Sequence, residues 1–180
     1  MLWQLLVFRG LLWSRHFAKD AVEGVRLFFG AFSKCWTQTM PIREHPLIGT
    51  VILCDFDAGF KIPEMVKRRP CVVISPKIAS RPGLCTVVAL STDAPEPVMP
   101  YHCQIDLRPE LPEPWKSDGV WVKGDMVNAV GFHRLDLFRL GKDFGGKRQY
   151  LLTPLSSETL KEIRLCVLRA IGLGTLTKHL

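Results

Sequence analysis

The stretch Lys67-Arg68-Arg69-Pro70-Cys71-Val72-Val73-Ile74-Ser75-Pro76 leads from a basic cluster into a short apolar strand. Pro70 opens the predicted strand and Ser75-Pro76 ends it, because proline has no N–H to donate to a sheet ladder. Residues 85–92 and 120–127 have the same form, an apolar strand pattern with polar side chains at one end. We therefore expect the polar ends of these three strands to meet in one site.

The composition is that of an ordinary globular protein. Of 180 residues, 47% are apolar and 23% are charged, which is enough for one domain with a real core. The formal net charge of +7 suits a polyanionic partner, but it serves solubility equally well. The six cysteines form no CxxC pair and no Cys/His group with zinc spacing. We expect a reducing, cytoplasmic environment with no disulfide framework, no metal and no cofactor.

The chain divides into an N-terminal extension, 1–39, and a domain, 40–180. The extension is rich in Leu, Phe and Trp, but its longest uncharged run, residues 1–8, is far shorter than the ~20 residues that span a bilayer. Arg9 follows that run directly, which is unlike a signal peptide, so no membrane association is predicted. Residues 20–32 have the apolar spacing of an amphipathic helix. Alternatively, Met40-Pro41-Ile42 resembles a second start, and the extension is a mis-assigned start without function.

The domain reads as short strands followed by one helix. The helix begins at Ser156 or Ser157, which can cap it, and ends at Gly172. This order predicts a mainly β fold, a small SH3-like barrel with a C-terminal helix packed on it, although strand patterns alone do not separate it from other small β folds. The predicted strands cover residues 49–56, 70–74, 85–90, 101–107, 120–127 and 150–152.

Arg69 and the Ser91-Thr92 pair are candidate phosphate ligands. Arg69 precedes a proline, which pushes its backbone towards the extended region and fixes where the loop becomes a strand. Its guanidinium is planar and always charged, and its donors suit a phosphate. Ser91 and Thr92 can donate hydroxyl hydrogen bonds to phosphate oxygens. Alternatively, Arg69 is a solvated residue at a basic loop end, and Ser91-Thr92 form an ordinary turn.

Lys123 and Asp125 are separated by one residue in a strand, so their side chains share a face. They can act as a charge partner and a general base, or simply form a surface ion pair. Gly124 between them leaves room for the close approach of a backbone or a ligand. Trp121, on the same face, can stack on a base or lie in a dimer contact. His102 and His133 are interpreted as structural or surface residues.

Together these stretches resemble the PemK/MazF family of type II toxin–antitoxin endoribonucleases, in its PemK-like growth-inhibitor branch. The resemblance covers about residues 46–172. It rests on the strand over 49–56 that ends in Asp-Phe, on Glu64 in the next loop, on Arg69-Pro70, on Ser91-Thr92, and on Val122-Lys123-Gly124-Asp125.

The resemblance implies an SH3-like barrel of the PemK/MazF/CcdB kind that acts as a homodimer with a cognate antitoxin. It implies metal-independent cleavage of single-stranded RNA that leaves a 2′,3′-cyclic phosphate. Two alternatives stay open: a barrel that binds RNA or a protein such as gyrase without catalysis, and an inactive relic. The implied catalytic residues are Arg69, Ser91, Lys123 and Asp125. The implied RNA-binding residues are Glu64, which would hold Arg69 in place, and Lys67, Arg68, Thr92 and Trp121.

Overall fold

The structure is a computed structural model that describes residues 42–57 and 59–179. The predictions for the N-terminal extension, including the helix over residues 20–32, fall on residues outside this range. Within the described residues, no helix is both long enough and apolar enough to cross a membrane.

Six strands form one antiparallel sheet in the order β4-β5-β3-β2-β1-β6, and two more form a separate hairpin. The six are β1 (Val51–Asp55), β2 (Arg68–Val73), β3 (Leu84–Ser91), β4 (His102–Ile105), β5 (Val120–Gly131) and β6 (Leu135–Asp136). The hairpin consists of β7 (Arg139–Lys142) and β8 (Arg148–Tyr150). The helix α1 spans Ser157–Ala170, and short 3₁₀ helices cover Phe132–Arg134 and Gly174–His179.

The central strands are buried on both faces of the sheet. In β3, Val88 and Leu90 point into one apolar core, while Val87 and Ala89 point into the other. Because successive side chains of a strand point to opposite faces, a strand between two cores is apolar at every position. This explains why the central strands appear in the sequence as continuous apolar runs rather than as alternating patterns.

Helix α1 covers one of the two cores. Its residues Ile163 and Cys166 are buried, and Leu160 and Val167 pack against the same core. The second core lies on the opposite face of the sheet, where Phe56 and Leu135 are buried. Burial of a side chain of this size stabilises a fold by about 1.5–3 kcal/mol, so the two cores make the sheet and helix one cooperative unit.

The predicted boundaries of the helix are confirmed. The Ser156 hydroxyl accepts a hydrogen bond from the Thr159 N–H at 3.2 Å and caps the N-terminus. At the other end, Gly172 has φ +80°. The N–H groups of Gly172 and Leu173 donate to the carbonyls of Arg169 and Leu168, respectively. This is the Schellman pattern that a glycine in the left-handed region favours.

The predicted mainly β fold with a C-terminal helix is confirmed, with differences at the edges. β5 continues to Gly131 and β8 ends at Tyr150, and the short strands β6 and β7 carry no clear pattern in the sequence. Among the described residues no ladder joins β4 to β6, so the sheet is not closed into a barrel by hydrogen bonds.

Candidate active site

A groove of about 530 Å³ opens where the start of β2 and the end of β3 meet the middle of β5. All four predicted catalytic residues line it, although they come from three strands. The loop that leads from β3 to β4 forms the other wall. The lining residues are Met65, Arg69, Ser91, Asp93, Pro95, Glu96, Pro97, Met99, Tyr101, His102, Lys123, Asp125 and Met126.

Arg69 is positioned by the turn that leads into β2. Lys67 has φ +70°, a left-handed conformation that is uncommon for a side-chain-bearing residue, and its carbonyl accepts from the Phe56 N–H. The Arg69 Nε donates to the Val66 carbonyl at 3.3 Å. Four of the five guanidinium N–H donors therefore remain available to an anion in the groove, while Nε is held by the turn.

Ser91 ends β3 at the floor of the groove and is 5% exposed. Its Oγ accepts a hydrogen bond from the Asp93 N–H at 3.1 Å. Since the backbone N–H is the donor, the hydroxyl hydrogen of Ser91 remains available to an acceptor in the groove. Sequence reasoning identified this hydroxyl as a donor, and the geometry is consistent with that role.

Lys123 borders a break in the ladder between β3 and β5, and Asp125 lies within it. Val127 pairs with Val88, but the next residue of β3, Ala89, pairs with Lys123, so residues 124–126 form an excursion of β5 with no partner on β3. Such bulges re-aim side chains next to functional sites. Here the excursion carries Asp125, whose side chain is 38% exposed, into the groove beside Lys123.

Gly124 is where the excursion touches the rest of the fold. A Cβ at this position would lie 2.5 Å from the Tyr101 carbonyl oxygen and 2.9 Å from the backbone carbon and oxygen of Cys166 in α1. The Gly124 N–H also donates to the Tyr101 carbonyl at 3.2 Å. The predicted close approach is confirmed, and it is an approach of backbone to backbone.

The charges of the groove act on Lys123. Burial lowers the pKa of its ammonium group below the ordinary value of 10.5, and the positive charge of Arg69 lowers it further. Asp125 and Asp93 oppose this shift by raising the pKa. The lysine is thereby made a better proton donor than a lysine in water, and Arg69 lies close enough for their charges to interact.

His102 is the residue that sequence reasoning missed. It begins β4 opposite Lys123, and its Nε2 lies 3.3 Å from Oδ1 of Asp125. Its side chain is 7% exposed. The sequence contains no signal for this contact, because 22 residues separate the two side chains and only the β4–β5 register brings them together.

The five predicted RNA-binding residues are not among the described residues that line the groove. The Arg68 guanidinium is 3.6 Å from the Asp136 carboxylate, and Thr92 and Lys67 are exposed. Trp121 is half-buried opposite Ser91. The Glu64 carboxylate accepts from the Lys61 N–H at 2.8 Å and closes its own turn, and the expectation that Glu64 helps to hold Arg69 stays a prediction. Arg69 is held by its hydrogen bond to the Val66 carbonyl.

The groove is not strongly cationic. Two basic side chains, Arg69 and Lys123, face the three carboxylates of Asp93, Glu96 and Asp125. Binding of a polyanion here therefore depends on specific hydrogen bonds more than on long-range attraction. Within residues 42–57 and 59–179, no group of three or more His, Cys, Asp or Glu side chains is arranged to hold a metal ion.

The chain is similar to a number of solved structures, of which two serve as examples. One is a mycobacterial endoribonuclease in complex with its cognate antitoxin, with 19% identity over 72% of this chain and 97% of that chain and a TM-score of 0.47. The other is MazF from Deinococcus radiodurans, with 20% identity over 71% of this chain and 96% of that chain and a TM-score of 0.47. No curated protein matches the chain.

The fold and the site define a mainly β domain with one C-terminal helix and a polar groove lined by residues of three strands. The particular family is defined by a sequence profile. The profile of PemK-like, MazF-like toxins of type II toxin–antitoxin systems matches residues 48–170, which is more than half of the chain. The chain belongs to this family, and the resemblance inferred from the motifs is confirmed.

Proposed function

We propose that this protein is a toxin endoribonuclease that cleaves single-stranded RNA by attack of a ribose 2′-hydroxyl on the adjacent phosphorus. The observation that carries the proposal is the meeting of Arg69, Ser91, Lys123 and Asp125 in one groove. They supply a base, an acid and two donors for phosphoryl oxygens. Because these side chains meet every need of the reaction, it proceeds without a metal ion.

Asp125 is the proposed general base. The 2′-hydroxyl has to lose its proton as its oxygen bonds to phosphorus, and a carboxylate within hydrogen-bond reach can accept that proton. Asp125 is the most exposed of the four catalytic residues. The β5 excursion sets its position. It is therefore accessible to a ribose that enters the groove from solvent.

Lys123 is the proposed general acid. As the bond from phosphorus to the 5′-oxygen breaks, that oxygen needs a proton, and an ammonium group with a lowered pKa gives one up more readily. The products are a 2′,3′-cyclic phosphate and a free 5′-hydroxyl. One proton leaves the 2′-oxygen for Asp125 and one leaves Lys123 for the 5′-oxygen, so the step is balanced.

Arg69 and Ser91 are the proposed stabilisers of negative charge on the phosphoryl oxygens. Both approach the groove from strand ends, and both are held by backbone hydrogen bonds before any substrate binds. Donors that are fixed in advance need no reorganisation during the reaction, and removal of one such donor costs about 10²–10³-fold in rate in other enzymes.

The groove favours single strands. Its wall includes Asp93 and Glu96, whose carboxylates repel a dense phosphate backbone but accept hydrogen bonds from the amino groups of exposed bases. The remaining predicted contacts, by Glu64, Lys67, Arg68, Thr92 and Trp121, belong to the path of the RNA outside the groove. In the cell, the proposal places the protein in the cytoplasm as a homodimer that a cognate antitoxin protein inhibits.

The test is cleavage of a labelled single-stranded RNA by the purified chain in the presence of EDTA. We expect cleavage that leaves a 2′,3′-cyclic phosphate, and we expect Arg69→Ala to abolish it. Arg81→Ala is the control, because Arg81 is an exposed arginine in the loop between β2 and β3 that neither lines the groove nor belongs to the predicted RNA contacts. RNA that is bound yet intact under all conditions would instead indicate the non-catalytic binding protein, and growth arrest with DNA damage would indicate a gyrase-directed one.

A further inference from the structure

His102 lies between a backbone donor and a carboxylate. The Met99 N–H donates to its Nδ1 at 3.1 Å, and its Nε2 is 3.3 Å from Asp125 Oδ1. The His102 N–H in turn donates to the Met99 carbonyl at 2.9 Å, which closes the turn that precedes β4. The Tyr101 ring meets the imidazole edge to face, with centroids 4.6 Å apart.

These contacts fix one tautomer of the imidazole. A backbone N–H can only donate, so Nδ1 has to be the unprotonated nitrogen that accepts from Met99. The ring hydrogen is then on Nε2, where it donates to Asp125. A second proton on Nδ1 would face the Met99 N–H donor to donor, so the neutral imidazole is the form that fits this site.

The exposures separate the roles of the two residues. Both side chains line the groove, but the Asp125 side chain is 38% exposed whereas the His102 side chain is only 7% exposed. The hydrogen bond occupies Oδ1 of Asp125 and leaves Oδ2 available to another donor. Because Asp125 lies in an excursion of β5 without a cross-strand partner on β3, it depends on side-chain contacts for its orientation.

We propose that His102 is a positioning residue that holds Asp125 in the orientation in which its second carboxylate oxygen meets the RNA 2′-hydroxyl. This inference rests on the proposed function and adds a residue to it. His102 touches no substrate atom and transfers no proton. It acts only through Asp125, and the Met99 N–H acts through His102 by fixing the tautomer.

The test measures kcat and KM for single-stranded RNA with His102→Leu and His102→Gln, each alone and together with Asp125→Asn. We expect His102→Leu to lower kcat by about 10–100-fold with little change in KM, because small misplacements of a catalytic group cost this much. The amide N–H of His102→Gln replaces the Nε2 donor and restores most of the loss. Neither substitution lowers the residual rate of Asp125→Asn any further, because residues that act as one unit are not additive.

His133→Leu is the control, since His133 is an exposed histidine outside the groove. Equal losses in the Leu and Gln variants, a loss confined to KM, or a further loss in the Asp125→Asn background overturns the proposal while the nuclease function stands. RNA left intact by the wild-type protein overturns both.

One measurement uses the wild-type protein and therefore does not depend on whether a variant folds. In ¹⁵N NMR spectra of the histidine-labelled full chain, we expect His102 to show a protonated Nε2 and an unprotonated Nδ1. A proton on Nδ1 contradicts the hydrogen bond from Met99 and overturns the proposal independently of any activity. Thermal melts of the two His102 variants separate loss of fold from loss of orientation.

Discussion

Gly124→Ala tests the packing that places Lys123 and Asp125 in the groove. The added methyl group would lie 2.5 Å from the Tyr101 carbonyl oxygen and 2.9 Å from two backbone atoms of Cys166, whereas ordinary contact begins at 3.4 Å. All three atoms belong to the backbone, so no side chain can rotate away to relieve the clash. The β5 excursion has to separate from both β4 and α1 by roughly half an ångström to one ångström, a strain typical of overpacked sites.

Two opposing effects set the size of the change. Overpacking of this kind costs about 1–3 kcal/mol. Replacing glycine by alanine also restricts the unfolded chain, which stabilises the fold by about 0.4–1 kcal/mol. The clash exceeds the entropic gain, because it involves two elements at once, and we expect a net loss of about 2 kcal/mol. For a chain of this length, that corresponds to a fall in Tm of about 4–8 °C.

The assay is thermal and urea unfolding followed by circular dichroism, with RNA cleavage measured on the folded protein. Gly174→Ala is the matched control, because a Cβ there meets only Arg169 at 3.9 Å and Gly174 begins a 3₁₀ helix. We expect the control to unfold at or slightly above the wild-type midpoint. If Gly124→Ala unfolds together with the control and cleaves RNA at the wild-type rate, the backbone contact does not position the site.

Three further outcomes are expected. Ser91→Ala lowers kcat for RNA cleavage by about 10²-fold, because it removes a donor fixed at the floor of the groove, whereas Thr92→Ala changes kcat little; equal effects would place the hydroxyl role elsewhere. Asp93→Asn moves the alkaline limb of the pH–rate profile to lower pH. Asp93 raises the pKa of Lys123, so its loss lets the ammonium group deprotonate at a lower pH. An alkaline limb that stays in place would exclude Lys123 as the general acid. Ser156→Ala lowers the free energy of unfolding by about 1 kcal/mol in urea titrations, since it removes the cap of α1, and an unchanged midpoint would contradict that role.

The linkage of Lys123 to stability has a definite sign. A lysine whose pKa is lowered in the folded state binds its proton more weakly there than in the unfolded chain. The cost of keeping it charged is fully present below the folded pKa. That cost is relieved as the pH rises through the lowered pKa towards 10.5, so this residue alone makes the fold more stable at alkaline pH.

Local chemistry made much of the fold predictable. Ser156 and Gly172 mark the helix ends because caps depend on residues that are neighbours in sequence. The strand cores of β1 to β3 were equally clear, since burial on both faces leaves continuous apolar runs. The strands β6 and β7 were missed because they are short, and β7 is exposed at all four positions.

The site was predictable only in part. Arg69 and Ser91 lie at strand ends that the sequence marks with a proline or with a change from apolar to polar residues. His102 was not recognised, because its role depends on the register between β4 and β5 and on a turn that presents the Met99 N–H. Glu64 was assigned to Arg69 by resemblance, and the one hydrogen bond that the structure gives its carboxylate is a local one, from the Lys61 N–H.

The excursion at residues 124–126 separates the requirements of folding from those of chemistry. The ladder resumes on both sides of it, so Val122 and Val127 keep their pairing with β3 whatever the excursion carries. Substitutions at Asp125 can therefore accumulate without disturbing the apolar cores, whereas Met126 packs against the second core. A descendant of this protein can lose or exchange the carboxylate of Asp125 while the sheet persists. Natural selection then has a short route from an active toxin to a harmless protein of the same shape.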